Sequence, residues 1–207
     1  MLKRTKGRLL LTLLVVTGLA GKITDTTITA KERKLLVGEL KDTKSAILST
    51  VKGLSDAQLN YKPAPDRWSI RECVYHITLA ENNLWTILEE AMKNPPTPEK
   101  RNEVTVSDDA LLKGITDRTE KRQAPETIRP DKSPWKNTQE ALAAFKLSRG
   151  NHLKYAKTTT EDLRNHIITL PFGKVDAYQF MLFLAGHSKR HLLQIKEVKA
   201  DPGFPKQ

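Results

Sequence analysis

Four long stretches of this 207-residue chain repeat apolar residues at the spacing of one α-helix face, and segments containing Pro and Gly separate them. We find no convincing strand and no internal repeat. Helices of this kind bury their apolar faces against one another, so the pattern predicts an all-α domain, an antiparallel four-helix bundle. The connections allow crossover topologies as well as up-down-up-down order. The predicted helices cover residues 30–51, 70–93, 137–157 and 177–199.

Each predicted long helix follows a residue that can cap its N-terminus. Glu72 and Glu140, each three residues after a cap, are placed to complete capping boxes at the second and third helices. Shorter helical segments are expected near residues 56–59 and 110–120. A long loop over residues 123–136 joins the second helix to the third and could form a rim or lid. The predicted caps are Thr29, Ser69, Asn137 and Asp176.

The first twenty residues have the layout of a secretory signal peptide. A basic start is followed by an apolar run over residues 9–16, which is shorter than the roughly 20 residues of a membrane span. We therefore predict an exported protein, periplasmic or extracellular, with no stable membrane span after cleavage. An uncleaved anchor and a misassigned start are the alternatives. The predicted divisions are a signal peptide at 1–20, a linker at 21–29, the bundle at 30–200 and a C-terminal tail at 201–207.

The charge pattern argues against a nucleic-acid partner. The formal net charge is +11, and loss of the four basic residues of the predicted signal peptide lowers it to about +7. Lys and Arg residues alternate with Asp and Glu instead of forming a dense basic block with interleaved aromatic residues. This distribution is typical of a solvated surface.

Two histidines of the last predicted helix, His187 and His191, lie four residues apart and so on the same helix face. That face also carries Phe180 and Leu184, which places the imidazoles toward the core. Buried imidazoles are costly unless something binds them, and a metal ion is one candidate. Ser188 follows His187 where a zinc protease would have Glu, which excludes that family.

A third ligand is available at His76, on the edge of the apolar stripe of the second helix. A bundle can bring that edge against the last helix, and three histidines leave a coordination position open, as in catalytic zinc sites. Zinc, nickel and iron are all compatible with imidazole ligands. Of the other histidines, we expect His152 to be solvated and His166 to be structural.

Several neighbours of these histidines could assist the site. Cys73 lies one turn before His76, but we expect a buried core residue, and as the only cysteine it leaves no internal disulfide. Glu72 is explained by its capping role. Asn83 and Gln194 could orient a bound group. We expect Arg190 to face solvent or to form a salt bridge with another helix.

Two segments resemble the DinB-like superfamily: residues 68–77, WSIRECVYHI, and residues 187–195, HSKRHLLQI. The connection at residues 171–173 before the last helix is also similar. The resemblance covers roughly residues 35–198. It implies a four-helix bundle with a divalent metal site built from one histidine of the second helix and two of the last, which here are His76, His187 and His191.

The resemblance also implies an activity, a metal-dependent hydrolase or thiol-dependent transferase acting on a small molecule. The predicted signal peptide departs from the family and argues against a cytosolic thiol cofactor. The alternative is a non-catalytic helical module in which a metal or the histidines staple two helices together. The catalytic residues, the substrate, the metal and the oligomeric state stay open, with a homodimer among the options.

Overall fold

The structure, a computed structural model, describes residues 28–206, so the predicted signal peptide and most of the predicted linker lie outside the described residues. Within that range no helix is both long enough and apolar enough to cross a membrane. Short 3-10 turns occupy Pro98–Glu103, Glu126–Ile128 and Pro130–Lys132. The main elements are α1 Ala30–Val51, α2 Asp56–Asn60, α3 Ile70–Met92, α4 Asp108–Thr116, α5 Thr138–Thr158, β1 Ile167–Leu170, β2 Gly173–Asp176 and α6 Ala177–Lys199.

The four long helices α1, α3, α5 and α6 form the predicted four-helix bundle. Helix α1 packs against α5 and α6, and α3 packs against the same two helices. The consecutive pairs α1/α3 and α5/α6 therefore lie on the two diagonals of the bundle, and the connections within these pairs cross over, whereas α3 and α5 are adjacent. Helix α4 adds to the outside by packing on α6.

The helix starts follow local sequence rules. Thr29 and Ser69 each form a complete capping box, as side chain and backbone exchange hydrogen bonds with a Glu three residues on. At α5, Asn137 Oδ1 accepts from Glu140 N at 2.9 Å. The Glu140 carboxylate accepts instead from Lys136 N at 2.9 Å, so the capping box predicted at α5 is incomplete.

A two-stranded antiparallel hairpin precedes α6, so the expectation of no strand was wrong. Ile168 pairs with Val175, and both side chains are buried. Gly173 has φ of 137°, a conformation that side chains rarely adopt, and it starts the return strand at the turn. Each strand has only four residues and is defined by its pairing with the other. In the sequence alone, this apolar run with its Pro and Gly therefore resembled a connection without secondary structure.

The bundle core consists of two apolar clusters with a polar layer between them. Each long helix contributes one buried side chain to this layer: Thr43 from α1, Glu81 from α3, Arg149 from α5 and Ser188 from α6. The Arg149 guanidinium donates to both Glu81 oxygens, at 2.5 and 2.6 Å, to Thr43 Oγ1 at 2.7 Å and to Ser188 Oγ at 2.8 Å. We call these four residues the polar layer.

His152 extends the polar layer, and its predicted solvated position was wrong. Its side chain is buried, with Nδ1 2.8 Å from a Glu81 oxygen, and its ring stacks on Trp85 at 4.0 Å between centroids. The neighbouring charged residues in the sequence suggested a solvent-facing turn. Their side chains do not decide the burial of His152, because its partners come from α3.

Gly186 lets α4 approach α6 closely, one residue before His187. A Cβ added at Gly186 would lie 2.4 Å from Ile115 Cγ2 on α4. We expect Gly186→Ala to lower the free energy of unfolding by about 1–3 kcal/mol in urea titrations, because the stiff Ile115 side chain must move.

The matched control for this substitution is Gly114→Ala on the exposed side of α4, where an added Cβ meets nothing within 4 Å. It should be neutral or stabilising by up to about 1 kcal/mol, because Ala favours helices over Gly. Ile115→Ala should relieve the clash and rescue part of the loss in the double variant. Wild-type stability of Gly186→Ala would contradict the close approach.

Candidate metal centre

The packing of α3 on α6 brings the three predicted ligands together. The capping box at Ser69 sets the start of α3 and so the position of His76 two turns later. His187 and His191 lie one turn apart on α6. One ligand atom from each of the three imidazoles lies within 4.8 Å of the others, and His76 and His191 are buried while His187 is partly buried.

The ring nitrogens of this cluster have the arrangement that a metal site needs. His76 Nε2 and His187 Nε2 are 3.2 Å apart. Two ligands bound tetrahedrally to one zinc at about 2.0–2.1 Å would lie about 3.3–3.4 Å apart. The three side chains could therefore hold one metal ion without a change of fold.

The second nitrogen of two rings is fixed by the protein. His76 Nδ1 lies 2.7 Å from the Ile128 carbonyl oxygen, and His191 Nδ1 lies 2.9 Å from Gln194 Oε1. Both partners are oxygen acceptors, so Nδ1–H donates a hydrogen bond to each, which leaves the Nε2 lone pair free to bind a metal. Metal-ligating histidines usually have such an acceptor on the other nitrogen.

All three imidazoles are neutral near pH 7, as metal ligands must be. Burial lowers the pKa of His76 to about 4, although the hydrogen bond to Ile128 opposes it. Burial, followed by the neighbouring charge of His76, lowers the pKa of His187 to about 3. Burial also lowers the pKa of His191 well below its usual value, and His187 adds to this effect.

Aromatic rings and an apolar core surround the cluster. Trp68 packs against His76 and His191, with centroids 4.8 and 5.8 Å apart. Phe183 stacks near His187 at 6.3 Å. Cys73 is fully buried in the apolar cluster, where burial strongly raises the pKa of its thiol, which confirms the predicted core role.

The other residues near the predicted ligands differ in whether the structure places them at the site. Gln194 lies at the site through its contact with His191. Asn83 is exposed and does not line the cleft described below. Glu72 is engaged by the Ser69 cap and by Lys62 Nζ at 2.7 Å. Arg190 was expected to face solvent or to form a salt bridge with another helix, and within residues 28–206 it does neither. Its side chain is buried, and Nη2 donates to the Glu120 carbonyl oxygen at 2.8 Å.

The Ile128 carbonyl was missed by sequence reasoning, because a backbone oxygen has no residue-type signature. The side chain of Ile128 is buried and anchors the loop that carries this carbonyl. The anchoring places the Ile128 carbonyl group, at the end of this 3-10 turn, against α3. The long loop thus contributes to the site through its backbone.

The cluster opens on a cleft of about 890 Å³. His191, Trp68 and Gln194 line it, together with the segment from Arg118 to Ala124. Small-molecule sites typically have volumes of about 300–1,000 Å³. A ligand in the cleft would reach the histidine cluster through His191.

We expect Gln194→Ala to weaken zinc binding by about 10–100-fold, because His191 loses the acceptor that orients its ring. Competition with a chromophoric chelator measures the affinity. The control is Asn83→Ala, a polar substitution on the exposed surface of α3, which should leave the affinity unchanged. Equal affinities of Gln194→Ala and wild type would show that the contact does not orient a ligand.

Comparisons with known proteins agree with this architecture. A family model described as the DinB superfamily matches residues 39–195. The uncharacterised protein YuaE of Bacillus subtilis is 30% identical over 149 residues, covering 72% of this chain and 88% of YuaE. The structure of YfiT from Bacillus subtilis superposes with a TM-score of 0.58 at 14% identity, covering 86% of this chain and 92% of YfiT. YfiT is described as a probable metal-dependent hydrolase with an unusual four-helix bundle topology.

Proposed function

The chain belongs to the DinB superfamily, and from this premise we propose that it is a metal-dependent hydrolase of a small molecule. We assign the metal to His76, His187 and His191. The observation that carries the proposal is the convergence of three neutral imidazoles, one of which, His191, lines a cleft. The description of YfiT as a probable metal-dependent hydrolase supports the same reaction class.

In this proposal each residue of the site has a definite task. The three histidines hold a divalent zinc, nickel or iron ion through their ring nitrogens, while Ile128 and Gln194 fix the orientation of two rings. Trp68 and Phe183 shield the rings from bulk water. When bound, the ion supplies Lewis-acid chemistry, which polarises an acyl or phosphoryl oxygen and activates water.

The position of His191 favours a catalytic metal site over a structural metal site that only links α3 to α6. Structural zinc sites have four protein ligands and are closed to solvent. Within residues 28–206, the group of candidate ligands contains three histidines and no fourth protein ligand. One of the three borders a cleft large enough for a small molecule.

A hydrolysis assay tests the proposal. The purified protein is loaded with zinc, nickel or iron in turn and assayed against a panel of esters, amides and phosphate esters. We expect turnover that depends on the metal and is lost in His187→Ala. His166→Ala is the control, because His166 contacts the backbone oxygens of Asp162 and Asn94 and lies outside the cluster. Stoichiometric metal without turnover on any class would favour the stapling module.

Export of the protein also stays a proposal, and it rests on the N-terminal sequence alone. A basic start, a short apolar run and small residues before position 21 support it.

A further inference from the structure

Arg190 combines near-complete burial with an unused donor. Its side chain is 5% exposed, and Nη2 donates to the Glu120 carbonyl oxygen at 2.8 Å. Nη1 is buried and has no hydrogen-bond partner within residues 28–206. A buried charged donor without an acceptor is costly, so such a group in a native fold needs an explanation.

The charges around Arg190 do not neutralise it. No carboxylate of the described residues lies within 4.0 Å of its guanidinium. Burial, followed by the positive charges of Arg118 and Arg122, lowers the pKa of Arg190, and Asp117 and Glu197 oppose this only in part. The Glu197 carboxylate is already occupied, because Arg118 donates to both of its oxygens at 2.6 and 2.7 Å.

Arg190 also lines the cleft that reaches His191. Two acidic groups of the cleft are engaged by neighbouring cations: Asp66 by Lys121 at 2.5 Å and Glu197 by Arg118. A third acidic group, Glu72, is held by Lys62. The lining contains six basic and five acidic residues, and since three of the acidic ones are already paired, positive charge next to the histidine cluster stays available to an anion. The basic residues that line it are Arg67, Arg118, Lys121, Arg122, Arg129 and Arg190.

We propose that the cleft binds small molecules carrying an oxyanion, a carboxylate or phosphate group, and that Arg190 is the residue that receives it. Such a group supplies the acceptor that Nη1 lacks, and a guanidinium is well suited to both anions. Arg190 precedes His191 in the chain, so the anchored molecule extends toward the histidine cluster. This assignment rests on the proposed function, since it names the substrate class of the same site.

Calorimetric titration of the intact protein with succinate, inorganic phosphate and the neutral analogue succinamide tests the proposal. Each probe is titrated into metal-free and zinc-loaded protein. We expect both anions to bind in both forms and succinamide to bind in neither. Arg190→Gln should weaken anion binding by at least about 10-fold, the value of one charge-assisted hydrogen bond. The tighter of the two anions identifies the preferred group.

Arg67→Gln is the matched control, because Arg67 lines the same cleft but faces Glu197 at 3.6 Å. Its effect should stay below about 3-fold, as for exposed charges. If Arg190→Gln does not fold, Arg190→Lys replaces it, since loss of the planar guanidinium should still weaken binding severalfold.

The outcomes separate this inference from the proposed hydrolase. No anion binding by the wild type, or binding that neither Arg190 variant changes, overturns the inference. If that unchanged binding is confined to the zinc-loaded protein, the anion binds the metal; if it also occurs without zinc, the anion binds elsewhere in the protein. Hydrolysis without preference for anionic over neutral substrates would also overturn it while leaving the hydrolase intact. Arg190-dependent anion binding in the absence of any hydrolysis would uphold it and reject the hydrolase.

Discussion

Replacing Arg149 with Met should lower the free energy of unfolding by about 3–5 kcal/mol. Met has nearly the volume of Arg, so the loss comes mainly from charge and hydrogen bonding. Arg149 is completely buried and donates to residues of all three other long helices. Without it, the buried Glu81 carboxylate lacks its cation, and Thr43 and Ser188 lose a donor. Urea unfolding at pH 7 measures the difference.

Two further variants test whether burial of the charges accounts for this loss of stability. Lys93→Met breaks an ion pair with Glu90 at 2.5 Å that is largely exposed, and it should cost less than about 1 kcal/mol. Glu81→Leu combined with Arg149→Met removes both buried charges, so the double variant should recover much of the lost stability. An equal loss of unfolding free energy in Lys93→Met and Arg149→Met would show that burial does not determine the contribution of an ion pair to stability.

The ion pair of Glu81 and Arg149 also predicts how the stability of the protein changes with pH. Burial alone would raise the pKa of Glu81, but the charge of Arg149 and hydrogen bonds from Arg149 and His152 lower it on balance. A carboxyl with a lowered folded-state pKa stabilises the protein above its unfolded pKa of about 4.3, and this contribution is lost as the pH falls through the folded-state value. The stability advantage of wild type over Glu81→Leu/Arg149→Met should therefore be larger at pH 7 than in acid, as urea titrations at both pH values would show.

The polar layer and the histidine cluster differ in how far the sequence predicts them. The i, i+4 spacing of His187 and His191 is a local rule, and His76 follows from the apolar stripe of its own helix. Helix caps are local as well, since Thr29 and Glu32 are three residues apart. The burial of His152 depends on Glu81, 71 residues away in the chain. No local pattern encodes such a pairing, and the charged neighbours of His152 in the sequence favoured a solvent-exposed position, which was wrong.

Arg190 is a second residue whose burial could not be predicted from its local sequence. Its residue type predicts solvent exposure or a salt bridge, and α6 gives it neither, because the irregular segment after α4 covers it with a backbone carbonyl. Residues in irregular segments follow no period, so their contacts with helices could not be placed from the sequence. The features that sequence reasoning missed are therefore those supplied by loops: the Ile128 carbonyl, the burial of Arg190 and the wall of the cleft.

Substitution of any one of the three clustered histidines by Ala should reduce zinc affinity by more than about 100-fold, which exceeds the loss usual for an orienting partner. His76→Ala, His187→Ala and His191→Ala each remove one of three converging nitrogens. The effect should be similar for all three, because two imidazoles hold an ion far more weakly than three. Metal analysis after dialysis and chelator competition measure it.

Thermal unfolding gives an independent measure of the same site. An ion that binds only the folded protein stabilises it by about 2.7 kcal/mol at a free concentration of 100 times Kd. Zinc should therefore raise the unfolding temperature of the wild type and of His166→Ala, and leave that of His187→Ala unchanged. His152→Ala is a second control, because it should lower stability by disturbing Glu81 while the zinc-induced increase persists. A zinc-induced increase in His187→Ala equal to that of the wild type would place the metal elsewhere in the protein.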